Sequence, residues 1–316
     1  MRVRSMARSA VYKGLSIPPF NRGLRRAMNC LRGGYILCFH SKYRLFEQQV
    51  DALSPDRLVP LCEIVQRIKN GKPTGGLFAL TADDGECDST EAFAAVCIRR
   101  GWPMTFYLLT NYINTGTALY CKFLNMQLNL PLAKVKAAGD VIDISTKAKR
   151  ANFEKCLVNR LESFSDSEFQ PWLNSFIDAM VNQSLIERQV VERVPNPISW
   201  DHVEALAKHP NLSFQSHGVF HQPVAALSQE ALERELLDSK REIEQHTNHP
   251  VTDFAYPYGS KRAVGNVDIM HIARHYESAV TFQRRRLKGA NAYLLPRFSA
   301  DGVRPGNLKV VTIVGR

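Results

Sequence analysis

The stretch Leu77-Phe78-Ala79-Leu80-Thr81-Ala82-Asp83-Asp84-Gly85 decides the fold. It is an apolar run of strand length that ends in two adjacent carboxylates and a glycine. A short run that is apolar throughout, with no polar face, reads as a strand buried on both sides, as in parallel sheets. Upstream lies a second such run, Tyr35-Ile36-Leu37-Cys38-Phe39, ending at His40. Between the two, Phe46, Val50 and Leu53 recur at helical spacing. A second helix follows over Leu61–Ile68, and Asn70-Gly71-Lys72-Pro73 makes a turn. Downstream, 89–100 reads as a helix closed by Gly101, and Met104–Leu109 as a third strand. Strand alternating with helix predicts a parallel sheet or barrel.

The alternation breaks over about 120–198, where several helical patterns and one strand candidate, Val141-Ile142-Asp143-Ile144, precede Pro195-Asn196-Pro197. This segment is expected to be an inserted helical subdomain. The rhythm then resumes: helix Trp200–Ala207, strand Leu212–Gln215, helix Gln229–Gln245, strand Val251–Ala255, helix Val267–Tyr276 and strand Ser278–Phe282. Tyr293–Phe298 and Leu308–Val314 are further strand candidates. The expected organisation is a basic N-terminal arm over 1–34 and a barrel over 35–316, interrupted by the insertion.

With 45% hydrophobic and 22% charged residues in 316, the chain is globular and large enough to bury a full core. The net charge of +11 invites a nucleic-acid partner, but its distribution argues against one. Residues 1–46 hold ten Lys/Arg and no acid, whereas the other 270 hold 31 bases and 30 acids. No nucleic-acid partner is expected. Leu15, Ile17, Phe20, Leu24 and Met28 among those bases suit peripheral association of 1–46 with an anionic membrane. No run reaches the length of a membrane span or the core of a secretory signal, so a cytoplasmic site, at the inner membrane face, is expected. The seven cysteines are odd in number and none is spaced C-x-x-C, which suits buried thiols in a reducing compartment. Arg284-Arg285-Arg286 reads as an exposed loop.

Three polar constellations fall where predicted strands end, the edge on which parallel α/β proteins assemble their sites. In Thr81-Ala82-Asp83-Asp84-Gly85, neighbouring side chains of an extended segment point apart, so one Asp can hold a cation while the other approaches a water. In His217-Gly218-Val219-Phe220-His221, two histidines four apart can share a metal from one helical turn. His271 and His275 have the same spacing but lie in an amphipathic helix without a neighbouring acid, and read as surface. In Phe254-Ala255-Tyr256-Pro257-Tyr258-Gly259, the Pro-x-Gly turn can present backbone N–H groups to a developing oxyanion. Each motif alone has an ordinary loop reading. Together, one Asp and two His make a metal site with open positions, and a second Asp is placed to act as base, which is the apparatus of metal-assisted amide or ester hydrolysis.

From about residue 31 to about 302 the chain resembles the polysaccharide deacetylase family, the NodB-homology domain of carbohydrate esterase family 4. Tyr35–Ser41 resembles its opening strand, and Leu80–Gly85 its Thr-Phe-Asp-Asp-Gly motif with Ala82 in place of the aromatic. Ser216–His221 resembles its His-Ser/Thr-x-x-His motif with Gly218 in place of the hydroxyl. Phe254–Gly259 and Leu295-Pro296-Arg297-Phe298 resemble later motifs. The resemblance implies a distorted seven-stranded TIM-like barrel, with Asp84, His217 and His221 as ligands of a divalent metal, usually zinc. It implies Asp83 as general base and the Tyr258 backbone N–H, in its Pro257 turn, as oxyanion donor. The implied reaction removes an N-acetyl group from an amino sugar, and with the basic arm and the missing signal the expected substrate is a cell-envelope polysaccharide or its lipid-linked precursor.

Three departures qualify the resemblance. The family's base-orienting Arg position is here Ala255, and Arg297 is the candidate replacement from another strand. The family's late His is missing, since none follows His275, and His40 is the candidate acid. Gly218 lacks the hydroxyl that would brace the His loop, so that loop is expected to be looser. These departures also motivate the alternative of a carbohydrate-binding module on the same barrel, with turnover weakened or lost.

Overall fold

The structure, a computed structural model, describes residues 33–308 except 42, 138, 139, 164, 165, 268, 284, 302 and 306. Along the chain, β1 (Tyr35–Phe39) is followed by α1 (Phe46–Asp51) and α2 (Leu61–Lys69). Then come β2 (Phe78–Ala82), α3 (Cys87–Arg100) and β3 (Met104–Leu108). Next is α4 (Thr110–Thr115); over the segment expected as an insertion come α5 (Leu119–Leu128), β4 (Lys134–Ala137), β5 (Asp140–Asp143), α6 (Lys147–Leu161), α7 (Asp166–Asn182) and α8 (Arg188–Glu192). The barrel resumes with α9 (Trp200–Ala207), β6 (Leu212–Ser216), α10 (Gln229–Thr247) and β7 (Asp253–Ala255). It ends with α11 (Lys261–Val264), α12 (Ile269–Ala273), β8 (Ser278–Thr281) and β9 (Leu295–Ser299).

Seven strands close into a barrel in the order β1-β2-β3-β6-β7-β8-β9, with β9 returning to pair with β1. Every pairing is parallel. Closure removes sheet edges, and the helices cover the outside, so β1, β2 and β3 are buried at every position. That double burial is why these strands read as unbroken apolar runs. The outward faces meet the helices in one core that includes Leu37, Phe39, Phe93, Phe106, Leu236 and Phe254. The insertion has its own core around Phe123, Leu157, Leu173, Phe176 and Met180. No helix among the described residues is long and apolar enough to cross a membrane.

Several expectations are corrected. The single strand expected at Val141–Ile144 is one half of an antiparallel hairpin, its partner β4 pairing Val135 with Ile142. Lys134-Val135-Lys136-Ala137 is too short and too charged to announce a strand by itself. The helix expected over Val267–Tyr276 is only Ile269–Ala273, so His271 and His275 do not share one. Instead, His271 bonds Gln229 and His275 pairs with Glu233. Leu308 lies in a helical turn rather than a strand, and 309–314 fall outside the described residues. So do residues 1–32 of the expected arm, and Arg284. The part of 1–46 that starts at Tyr35 belongs to the barrel: β1 and Phe46 are buried. Arg286 is partly buried, with its guanidinium 5.5 Å from the centre of the Tyr35 ring, rather than loose in an exposed loop.

Candidate active site

The site forms where β2, β6 and β7 release the chain at their C-terminal ends. Six described non-glycine residues have positive φ, and three of them meet here: Asp84 (75°), His221 (60°) and Tyr258 (59°). Left-handed backbone costs an L-residue of order 1–3 kcal/mol and persists where surroundings over-determine it, as at functional sites. Asp84 is therefore not part of an extended segment. Asp84 and Gly85 are left-handed in succession, so the two carboxylates do not diverge by strand alternation. Both face His217, whose Nε2 is 3.5 Å from Asp84 Oδ1 and 3.9 Å from Asp83 Oδ2. Nor do His217 and His221 share a helical turn. They belong to a loop after β6, and His221's positive φ swings it back so that its Nε2 lies 3.7 Å from Asp84 Oδ1.

Asp84, His217 and His221 thus bring one ligand atom each within 4.8 Å of one another. The His217 Nδ1–H donates to the Ala255 carbonyl at 2.8 Å, because a carbonyl can only accept. That leaves Nε2, on the side of Asp84, as the ring nitrogen placed to meet a ligand. Burial, reinforced by the neighbouring His217, pushes His221 well below the usual imidazole range, which suits it to act as a metal ligand. Asp84 Oδ1 is buried and has no hydrogen-bond partner among the described residues. A buried carboxylate oxygen without a hydrogen-bond partner is costly, and a cation held between it and the two imidazole nitrogens would offset that cost. Burial pushes the Asp84 carboxyl up, opposed by the imidazoles of His217 and His40 and by a Tyr120 hydrogen bond. One oxygen and two nitrogen donors fit zinc, so these residues suit the implied metal.

Asp83 is held differently. Arg297 rises from β9, crosses β1 and grips Asp83 with two parallel bonds, Nη1 to Oδ1 at 2.6 Å and Nη2 to Oδ2 at 2.7 Å. Nη1 also donates to Thr81 Oγ1 and Nε to the Thr281 carbonyl, and the guanidinium lies 5.4 Å from the centre of the Tyr107 ring. Both partners are buried. Burial alone would raise the Asp83 carboxyl, but Arg297 first, then His217, holds it well below the usual range.

His40, half-buried, donates from Nδ1 to Asp301 at 2.7 Å, and its Nε2 faces Asp83 at 3.9 Å. Burial opposes its protonation. The Cys38 sulfur and the carboxylates of Asp301 and Asp83 overcome that, so its pKa lies well above the usual range. The direct Asp301 bond is the contact that holds the proton. Above the site is a cavity of about 190 Å³, lined by His40, both aspartates, both histidines and Arg297. Its walls include Tyr120, Leu124 and Leu161 of the insertion, with Tyr256, Tyr258 and Phe282. Tyr120 stacks on His221 at 4.1 Å and Tyr258 meets the same ring edge-on at 4.4 Å. Pro257 does not line this cavity. It is buried, and its carbonyl accepts the Gly259 N–H in the tight turn that sets Tyr258's φ. A larger cavity of about 700 Å³ opens near the N-terminal ends of β3 and β6 and holds none of the motif residues.

A family model described as "Polysaccharide deacetylase" matches residues 174–277, which contain both histidines and the 254–259 turn. Among solved structures, the chain is similar to the Streptococcus pyogenes deacetylase PplD in complex with acetate, at 14% identity over 89% of this chain and 97% of that one, TM-score 0.54. It is similar to IcaB from Ammonifex degensii, at 14% identity over 89% and 97%, TM-score 0.52. The fold is that of the polysaccharide deacetylases. No curated protein matches the chain significantly.

On this barrel, the expected looseness of the His loop is overturned. Glu235 of α10, buried, accepts the Val219 N–H at 2.7 Å and the Phe220 N–H at 3.2 Å. Glu235 is also the residue the sequence reading missed, although a signal existed: it falls on the apolar stripe Leu232, Leu236, Ser239, Ile243, where a charge needs a partner. Asp301, Tyr120, Leu124 and Leu161 gave no such signal, since only the folded chain brings them to the barrel mouth.

Proposed function

We propose that the chain is a metal-dependent hydrolase that removes the acetyl group from an N-acetylated amino sugar. The observation that carries this is the convergence of Asp84 Oδ1, His217 Nε2 and His221 Nε2 beside the Arg297-held Asp83. A divalent cation bound there, zinc by its donor set, supplies an activated water and a polarised acyl carbonyl. Asp83, kept ionised, accepts the proton of the attacking water. The Tyr258 N–H faces the oxygen that gains charge. His40, protonated on Nε2, delivers a proton to the nitrogen as the C–N bond breaks, leaving acetate and a free amine. A cavity of about 190 Å³ with apolar and aromatic walls suits an acetamido group on a sugar ring. The substrate class proposed is a cell-envelope glycan or its lipid-linked precursor.

Purified protein should contain about one zinc per chain and release acetate from N-acetylglucosamine oligomers. Loss of that release on chelation, and its return with zinc, is the expected pattern. A chain that binds no divalent metal and releases no acetate from several acetylated sugars would overturn the proposal.

Asp301→Asn tests the acid. An acid must be protonated, so activity falls as pH rises through its pKa. Removing the Asp301 charge lowers the His40 pKa, and the alkaline limb of the pH–kcat profile should move to lower pH. An unmoved limb removes His40 from this role.

The same proposal has the basic residues before Tyr35 hold the enzyme against anionic lipid, supported by their charge and interspersed apolar residues. Flotation of the full chain, but not of a variant lacking 1–32, with phosphatidylserine vesicles is the expected result. Equal flotation of the two removes the arm from the proposal.

A further inference from the structure

The geometry points to Glu235 as a positioning residue that fixes the aim of His217 and His221 through the backbone of the loop between them, with Gly218 as its necessary counterpart. This rests on the metal-dependent proposal above.

The loop 217–221 has neither a helix nor a ladder to satisfy its amides, so each must find a partner elsewhere. His217 N–H donates to the Leu108 carbonyl at 2.9 Å and Gly218 N–H to Ser216 Oγ at 3.1 Å. The next two, Val219 and Phe220, both go to Glu235, which also accepts from Gln222 Nε2 at 3.4 Å. Carbonyls of Gly218 and Val219 accept from Thr110 and Asn111 at the start of α4. One ionised side chain thus closes the half of the loop that leads into His221. Charge-assisted bonds to successive amides are stronger than neutral ones and fix direction. One turn along α10, Ser239 Oγ lies 2.7 Å from Ser216 Oγ, so the same helix face holds both the strand end and the loop.

Gly218 makes this possible. Its φ is 87°, and a Cβ built there would lie 2.7 Å from Glu235 Oε2. A side chain at 218 and the carboxylate of Glu235 compete for one space, so the two positions must act as a pair. Partners that orient a metal ligand typically change metal affinity 10–100-fold when removed.

The test uses the full chain as apo protein, titrated with zinc against a chromophoric chelator, with melting temperature followed in parallel. Glu235→Ala should weaken zinc binding at least about tenfold and alter the visible spectrum of the cobalt-loaded protein. Glu235→Gln, which keeps one acceptor oxygen, should recover part of the loss. Gly218→Ala should weaken zinc binding in the wild-type background and do so less in the Glu235→Ala background, because the competition for space is gone. In the metal-free protein, hydrogen exchange at Val219 and Phe220 should accelerate in Glu235→Gln. Wild-type zinc affinity and cobalt spectrum in Glu235→Ala would overturn the inference. If Glu235→Ala does not fold, the same measurements on Glu235→Gln decide it. If the wild type itself binds no zinc, the functional proposal fails instead, and the exchange rates at Val219 and Phe220 still judge whether Glu235 holds the loop.

Discussion

Asp83→Asn is expected to lower kcat by about 10²–10⁴-fold, the usual worth of a positioned general base. Asparagine has nearly the same shape but no charge to take up a proton, and its amide cannot accept both Arg297 N–H bonds. Zinc content should remain near wild type, because the ligand atoms proposed are those of Asp84, His217 and His221. Turnover, bound zinc and sugar affinity measured together check this. The binding-module alternative expects sugar affinity nearly unchanged and no turnover to lose. An Asn variant with wild-type kcat would show that Asp83 plays no part in the chemistry.

Arg297→Met is expected to produce the largest loss of stability of any single change at the site, about 3–5 kcal/mol. Methionine approximates the volume of the side chain. What it leaves behind is a buried, ionised Asp83 without its two shortest bonds. The double variant Asp83→Asn/Arg297→Met should be more stable than Arg297→Met alone, because the uncompensated charge is gone. Urea unfolding of the wild type, two single variants and the double variant measures the coupling. If Arg297→Met unfolds at the wild-type midpoint, the pair has no structural role. The acid side of the stability profile should change as well. The folded Asp83 carboxyl lies below its unfolded value of about 3.9. The stabilisation it brings is therefore full above that unfolded value and is lost as pH falls through the depressed folded one. Wild type should lose this contribution in strong acid, and Arg297→Met should have little of it to lose.

Much of the site was legible because its parts sit where strands stop. A largely buried run that ends in charged or imidazole residues, as at Asp83-Asp84 and His217, leaves the sheet at the barrel's C-terminal mouth whatever the neighbouring strands are. What the sequence misjudged was local backbone. Strand alternation and a helical turn were expected to aim Asp83, Asp84 and the two histidines, whereas left-handed residues at Asp84 and His221 do so. Asp and His adopt positive φ more often than most non-glycine residues, but still too rarely for their presence to announce it. Gly218 was read as a missing hydroxyl, because the carboxylate that fills its space is 17 residues away on a helix.

The sequence by itself determined the alternation of buried strands and helices, the break over the insertion, and the chemical types gathered at the strand ends. Those are local properties of spacing and polarity, and each can be read in a window of a dozen residues. Only the tertiary structure decided that β9 closes against β1 and sends Arg297 to Asp83. It alone put Asp301 behind His40, Glu235 under the His loop and Tyr120 over His221. Those contacts join residues from 15 to over 250 positions apart, held by barrel closure and by the need of each buried charge for a partner, and no local pattern encodes such a pairing.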